Sequence, residues 1–535
     1  MAVAHISLTR RLSVVTAVVL LDASLAFQNV WPTPLIRWAG EFSVEFGAFL
    51  ILIIAAQLWL GPLSRGALRW LTVAWMLLVL GHYADVTTPA LYGRDINLYW
   101  DVRYMPDVAA MIARAAPHWL LAGAAAAIVA ILALLYVGFR WAIRCLARAA
   151  FDERERAPAF MAGVAIVGMF AAQQLGFHFN TEATYATPVV QTYARQARLV
   201  AGAWRASKTL PPSPRMDADL AQVEGADVFL IFIESYGAIA FERADLAPPL
   251  EAGRAELGAA IHATGRDVVS AFVESPTFGG SSWLAHLSLM SGVEVRDPAT
   301  NARLMTERRD TIVSNFKRAG HRTVALMPGL RQAWPEGAFY GFDEIDGAAR
   351  LDYRGPEFGW FAVPDQFSLA KFDALERQTR SRAPRFVFFP TISTHFPFIP
   401  TPPYQPDWSR MFLERPYDAP SIIRAYAQQP DWTHFGPGYV NAIAYDYATL
   451  AGYLQLHQDQ DLVMVLLGDH EPAAAVSGEK APWDVPVHVI ASRPRILERL
   501  RDRGFRDGLT PARPSLGRMH TLLPVLLEAF SGPAR

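Results

Sequence analysis

Within the first 175 residues five apolar runs stand close together, at residues 12–27, 42–60, 70–86, 119–141 and 160–175. Such runs have few stable destinations. About 20 apolar residues in succession suit a helix that crosses a bilayer, where every backbone group is satisfied without water. The first and last runs are short for that, so the prediction rests chiefly on the middle three. The same runs explain a hydrophobic fraction of 52% and a mean hydropathy of +0.16, both high for a wholly soluble chain of 535 residues. A cleaved leader is the competing reading of "RRLSVVTAVVLLDASLA", which has a basic start, an apolar centre and small residues near its end; the runs that follow favour a retained helix.

Charge between the runs predicts an orientation. With a cytoplasmic amino terminus, the inside segments hold Arg10, Arg11, Arg65, Arg69, Arg140, Arg144, Arg148, Arg154 and Arg156, against Arg37, Arg94, Arg103 and Arg114 outside. Positive residues concentrate on the inside, and five crossings deliver everything after about residue 177 to the opposite face. The expected arrangement is therefore multi-pass in a membrane, with the large soluble portion extracytoplasmic. The single cysteine, Cys145, excludes an intrachain disulfide, and a net charge of −1 gives no sign of a nucleic-acid partner.

The apolar runs stop near residue 178. "SKTLPPSPRMDADLAQVEGA" then reads as a proline-containing linker, giving a five-span membrane domain at 1–178, a linker at 179–225 and an extracytoplasmic domain at 226–535. In the last of these the pattern changes. "ADVFLIFIESYG", "DVVSAFVES", "RTVALMPG", "RFVFFPTIST" and "LVMVLLGDH" are short apolar runs, separated by stretches of helical spacing such as "YVNAIAYDYATLAGYLQLH". Strands alternating with amphipathic helices predict an α/β domain with a mostly parallel sheet covered on both faces, and such sheets gather their functional groups at the carboxyl ends of the strands.

Glu234, Asp469 and His470 each follow an apolar strand run directly, so one rim brings together two carboxylates and an imidazole. That donor set suits one divalent cation, manganese, magnesium or zinc. Taken singly each residue has an ordinary explanation, since acids at strand ends cap helices and a lone histidine is usually structural. "SPTFGGSSWLAHLSLMSG", residues 275–292, adds a Gly-Gly turn and two serines before a helical run. A serine there faces unpaired N–H groups and the positive end of the helix dipole, which favours an alkoxide or a phosphate, although serine is also a common N-cap. Arg331 and Trp334, in "MPGLRQAWPEG", follow another strand and are candidate pocket residues. His286, four positions after Ser282, reads as helix packing.

In this order, "FIESYG", "GGSSWLAHLSLMSG", "TISTHFPF" and "LLGDHEP" behind apolar spans resemble the lipoteichoic acid synthase type of membrane phosphotransferase, in the sulfatase-like branch of the alkaline phosphatase superfamily. The resemblance covers residues 226–500 and extends loosely to the membrane part. It implies that Glu234, the nucleophile, Asp469 and His470 bind one catalytic metal, manganese first among the three, and that His395 contacts the substrate phosphate. It also makes Trp360 and Asp365, in "EFGWFAVPDQ", candidate substrate-binding residues with Arg331. In the superfamily the nucleophile generally lies ten positions before a glycine that closes its helix; counting back from Gly292 gives Ser282, with Ser281 the runner-up and Thr277 third. The implied activity is transfer of a phospholipid-derived phospho-headgroup, phosphoglycerol by preference, to an envelope glycan or lipid acceptor. A phosphodiesterase or sulfatase-like hydrolase and a non-catalytic envelope scaffold are the alternatives.

Three departures narrow the resemblance. The teichoic acid type generally uses threonine where this chain has Ser282. Ser282 is followed by Trp283, Leu284, Ala285 and His286, not by the x-Pro-x-Arg that a sulfatase needs to mature its nucleophile, which disfavours sulfate-ester hydrolysis. Envelope ethanolamine phosphotransferases usually carry disulfides, and this chain has one cysteine.

Overall fold

The computed structural model describes residues 8–177, 184–205, 210–332, 334–378, 383–431 and 433–532. It divides into two compact units, Met1–Leu91 with Asp95–Arg205, and Tyr92–Arg94 with Ala206–Arg535.

The first unit is helical: α1 (Leu8–Ala23), a small antiparallel pair β1 (Phe27–Asn29) and β2 (Ile36–Trp38), then α2 (Val44–Leu60), α3 (Arg65–Tyr92), α4 (Leu98–Ala115), α5 (His118–Ala149), α6 (Glu153–Gln174) and α7 (Val189–Arg205). All five apolar runs became helices, but not with the predicted ranking. Helices α3, α5 and α6 are long and apolar enough to cross a membrane. At 16 and 17 residues, α1 and α2 reach only about 24 to 26 Å, short of a hydrocarbon core of about 30 Å. The last run gains its length from "ERERAP", which the apolar count omitted and which extends α6 toward its amino end. Helices α2 and α6 touch at Gly163, where an added Cβ would lie 2.8 Å from the Gly47 carbonyl oxygen, the close backbone approach that small residues permit between apolar helices.

The predicted linker divides between the units. Its middle forms α7, which Arg195 ties to Asp85 and, at 3.0 Å, to Asp95, while Gln196 bonds to backbone groups of Ile96 and Leu98. Residues 210–225 belong with the second unit instead: Met216, Leu220 and Val223 are buried in its core. Apolar positions interleaved among the prolines and polar residues of the linker have cores to join.

The second unit is built on an eight-stranded sheet of β3 (Asp227–Ile233), β4 (Asp267–Glu274), β5 (Arg322–Met327), β6 (Glu344–Gly347), β7 (Arg385–Pro390), β8 (Leu462–Gly468), β9 (Asp484–Ala491) and β10 (Arg506–Asp507), in the order β10-β4-β9-β8-β3-β7-β5-β6. The five strands from β8 to β6 are parallel, and β9 and β10 run antiparallel to their neighbours. Successive side chains of a strand point to opposite faces, so β3 feeds two cores. Val228, Leu230 and Phe232 join Leu287, Met290, Phe316 and Leu526 on one face. Phe229, Ile231 and Ile233 join Leu250, Leu257, Tyr439 and Ile443 on the other. Burial on both faces is why these strands are continuously apolar rather than alternating.

Candidate active site

Strands β3 and β8 pair in parallel with Ile233 opposite Gly468, so the residues that follow, Glu234 and Asp469, emerge side by side at the carboxyl edge. Gly468 is required there: a Cβ would lie 1.8 Å from the Tyr236 carbonyl oxygen, and only glycine lets the turn after β3 cross the end of β8 so closely. Asp469 then anchors the turn, its Oδ1 accepting the Ser235 N–H at 2.8 Å and the His470 N–H at 2.7 Å. Ser235 itself holds a positive φ of 59°.

The serine loop arrives from β4, two strands away from β8, and side-chain and backbone bonds draw it across. Ser275 Oγ donates to the Asp469 carbonyl at 2.5 Å, and the Gly279 N–H donates to the Glu471 carbonyl at 3.0 Å. Ser281 adopts φ 64° without a side-chain capping bond, turning the chain sharply into the helix Ser282–Ser291. Ser282 Oγ donates to Glu234 Oε2 at 2.9 Å and lies 3.2 Å from His470 Nε2. Of the two serines considered, Ser282 is the one brought to the carboxylate and imidazole.

His470 Nδ1 lies 2.7 Å from the Glu471 carbonyl oxygen, an acceptor, which puts a proton on Nδ1 and turns Nε2 toward Ser282 Oγ and toward Glu234 Oε1 at 3.3 Å; Nε2 carries a proton to that carboxylate in the metal-free protein and is the atom that would give it up to bind a metal. Ligand atoms of Glu234, Asp469 and His470 all lie within 4.8 Å of one another, the requirement for holding one metal ion. Asp469 Oδ2 is buried with no hydrogen-bond partner. A buried, unsatisfied carboxylate oxygen is costly, and two carboxylates with a neutral imidazole carry the charge that a divalent cation neutralises. The residues present therefore fit such an ion.

The electrostatics of the protein alone point the same way. Burial and the neighbouring Glu234 carboxylate push Asp469 up to about 8. Burial would raise Glu234 too, but its hydrogen bond to His470 and the charges of His470 and His395 hold it well below the carboxylate range. His470 resists burial through Asp469 and Glu234 and is raised to about 9. Without a metal the cluster gathers protons as its source of positive charge.

The neighbouring strands add a second group. Thr391, just past β7, accepts the Glu234 N–H on its hydroxyl at 3.2 Å. His395 follows in the same loop, half-buried, its Nδ1 2.7 Å from the Phe396 carbonyl oxygen and its ring edge-on to Phe361 at 5.0 Å. Beyond β5, the exposed Arg331 donates to the Trp360 carbonyl at 3.0 Å, and its guanidinium stands 5.9 Å from the Trp360 ring and 6.0 Å from that of Phe361. Arg331, Trp360 and His395 are thus linked through Phe361. Asp365 behaves differently: it is buried, and its carboxylate accepts from the Ile392 and Ser393 N–H groups, so it holds the loop that carries His395. Trp334 packs at the edge of the core against Tyr340. Thr277 donates to the Gly280 carbonyl and shapes the loop. His286 is packed between Phe232 and Phe388.

Several contributors carried no signal of their own in the sequence. Ser275 and Thr391 are ordinary strand-end hydroxyls whose roles depend on pairing across the sheet. Asp446 is more legible, a lone acid among the apolar positions of "YVNAIAYDYATLAGYLQLH", and it is buried within the helix Gly436–Leu456.

No protein-family model and no curated protein matches this chain. Among solved structures it is similar to the lipoteichoic acid synthase LtaP from Listeria monocytogenes, at 14% identity over 52% of this chain and 68% of that one, with a TM-score of 0.36. It is similar to a protein in the alkaline phosphatase superfamily from Vibrio parahaemolyticus, at 17% identity over 62% and 74%, with a TM-score of 0.37. It is also similar to the Streptococcus pyogenes phosphoglycerol transferase GacH in complex with sn-glycerol-1-phosphate, at 12% identity over 59% and 77%, with a TM-score of 0.35.

Proposed function

We propose that this chain is a membrane-anchored, metal-dependent phosphotransferase that moves a phospholipid-derived phospho-headgroup, phosphoglycerol by preference, to an envelope glycan or lipid acceptor on the extracytoplasmic side. The observation that carries this reading is the Ser282 hydroxyl, 2.9 Å from Glu234 and 3.2 Å from His470, at the edge of a carboxylate cluster with one unpartnered oxygen. Glu234, Asp469, His470 and Ser282 would hold one divalent cation, manganese by preference. Once bound, that ion supplies positive charge that lowers the pKa of the serine hydroxyl and stabilises phosphoryl oxygens.

Ser282 attacks the phosphorus of the donor phosphodiester; a bond forms from Oγ to phosphorus as the bond to the diacylglycerol oxygen breaks. Glu234, which already accepts the hydroxyl hydrogen, is placed to take the proton. His395 binds a non-bridging oxygen or protonates the diacylglycerol oxygen as it leaves. The phospho-headgroup remains on Ser282 until an acceptor hydroxyl attacks its phosphorus, passing its proton to His395, and the bond to Oγ breaks as Ser282 takes back the proton held by Glu234. Arg331 and Trp360 would bind the headgroup, the guanidinium pairing with phosphate and the ring covering the apolar glycerol face. Anchoring by α3, α5 and α6 keeps such a site near a lipid donor.

The test is release of labelled diacylglycerol from phosphatidylglycerol by the full-length protein in detergent with manganese. Release that requires manganese and Ser282, and that rises with an added glycan or glycolipid acceptor, is expected. Release unaffected by acceptor indicates a hydrolase. No release from phosphatidylglycerol or phosphatidylethanolamine contradicts the proposal.

A further inference from the structure

Behind the loop that carries His395, two carboxyl groups meet side chain to side chain, where the N–H of Gln366, next to Asp365, donates to the hydroxyl of Tyr445, next to Asp446, at 3.1 Å. Asp365 opens the helix Asp365–Gln378, and Asp446 lies in the middle of the helix Gly436–Leu456; each is only 1% exposed. Neither takes part in an ion pair among the described residues, so no side-chain cation offsets the pair. The two acids have unequal surroundings. Asp365 Oδ1 accepts the Ile392 N–H at 2.9 Å, and Oδ2 accepts the Ser393 N–H at 2.7 Å. Ser393 returns the contact, its Oγ accepting the Asp365 N–H at 3.1 Å. The turn is closed by the His395 N–H donating to the Ile392 carbonyl. As two anions the carboxyls would face each other with only the Thr391 hydroxyl as a donor beside Asp446.

Burying two adjacent carboxylates with no counter-charge costs far more than sharing one proton between them. The proton belongs on Asp446, because Asp365 accepts backbone N–H groups on both oxygens and, among the described residues, no backbone N–H reaches Asp446. Burial and the Asp365 charge raise Asp446 well above the carboxylate range, consistent with that placement.

We propose that Asp446 is a positioning residue of the site: its carboxyl is protonated at neutral pH and donates a hydrogen bond to Asp365, whose carboxylate fixes the turn from Ile392 to His395. The consequence for turnover rests on the proposed role of His395; the consequence for the loop does not. Thr391 in the same loop accepts the Glu234 N–H, so a slack turn would loosen that contact as well.

The experiment compares full-length wild type with Asp446→Asn, Asp446→Leu and Asp365→Asn. Asparagine keeps an uncharged donor at 446; leucine removes it. Amide exchange in the 385–395 segment is expected to stay within about threefold of wild type in D446N and to quicken at least about tenfold in D446L and D365N, with exchange in β8 unchanged. Where wild type turns over phosphatidylglycerol, D446L is expected to raise KM with manganese affinity unchanged, and D446N to restore it. Wild-type exchange in D446L, or exchange in D446N as fast as in D446L, overturns the proposal. If D446L fails to fold, D446N and D365N decide the matter by the same amides. An inert wild-type enzyme counts against the proposed reaction and leaves the exchange result decisive for the positioning role.

Discussion

The Ser282 hydroxyl donates to the Glu234 carboxylate at 2.9 Å, joining residues 48 positions apart that leave the sheet from different strands. Everything said of chemistry at this site depends on that contact, and neighbouring Ser281 does not share it. Ser282→Ala is therefore expected to lower kcat by at least about a thousandfold, as loss of an attacking group does. Ser281→Gly is expected to retain activity and to leave stability unchanged or raise it by up to about 1 kcal/mol, since glycine adopts φ 64° without strain. Steady-state kinetics and thermal unfolding of the two variants separate the serines.

Gly468→Ala is expected to destabilise the protein by about 2 kcal/mol or more and to weaken manganese binding. Its new Cβ would press on a backbone carbonyl, which cannot swing aside, and would displace Asp469 from the end of β8. Unfolding midpoints and metal titration calorimetry check both parts.

Metal removal predicts a pH dependence of definite sign. In the metal-free protein Asp469 is raised from 3.8 to about 8 and His470 from 6.5 to about 9, so between pH 6.5 and 9 the folded state binds more protons than the unfolded chain. Stability must fall as pH rises through that window. Glu234, held low, acts only at acid pH. In chelator the unfolding midpoint is expected to drop by several degrees from pH 6.5 to 9; saturating manganese should raise the midpoint at every pH and flatten the slope. A scan of thermal unfolding against pH, with and without metal, reads this directly.

Arg331→Ala is expected to raise KM for the lipid donor about tenfold with kcat reduced less, because the guanidinium stands over Trp360 and Phe361 and is exposed to a ligand. Arg331→Lys should recover only part of the loss, since an ammonium cannot make the bidentate contact to phosphate.

The parts of this protein legible in its sequence are those fixed by local pattern. Continuous apolar runs reported strands buried on both faces, and a strand's end reported where Glu234, Asp469 and His470 would gather. Why "LVMVLLGDH" ends in Gly-Asp-His follows only from three dimensions: the glycine admits the Tyr236 carbonyl, the aspartate ties down the neighbouring turn, and the histidine turns its Nε2 to the serine. The resemblance makes Asp365 a candidate substrate residue through the segment it shares with Trp360; its carboxylate also accepts from backbone amides 27 and 28 positions away, contacts that no local pattern reveals. The helix lengths of the first unit were misjudged for a related reason, since counting apolar residues misses charged turns such as the start of α6.

The most direct measurement is a trapping experiment. Full-length protein is incubated with manganese and phosphatidylglycerol carrying a label in its headgroup glycerol, quenched in acid and digested, and the peptide containing residues 275–292 is sequenced by mass spectrometry. The expected result is a glycerophosphoryl group on Ser282, absent without manganese and absent from Ser282→Ala. A label on Ser281 or Thr277, or lipid turnover with no labelled peptide, would contradict covalent transfer through Ser282.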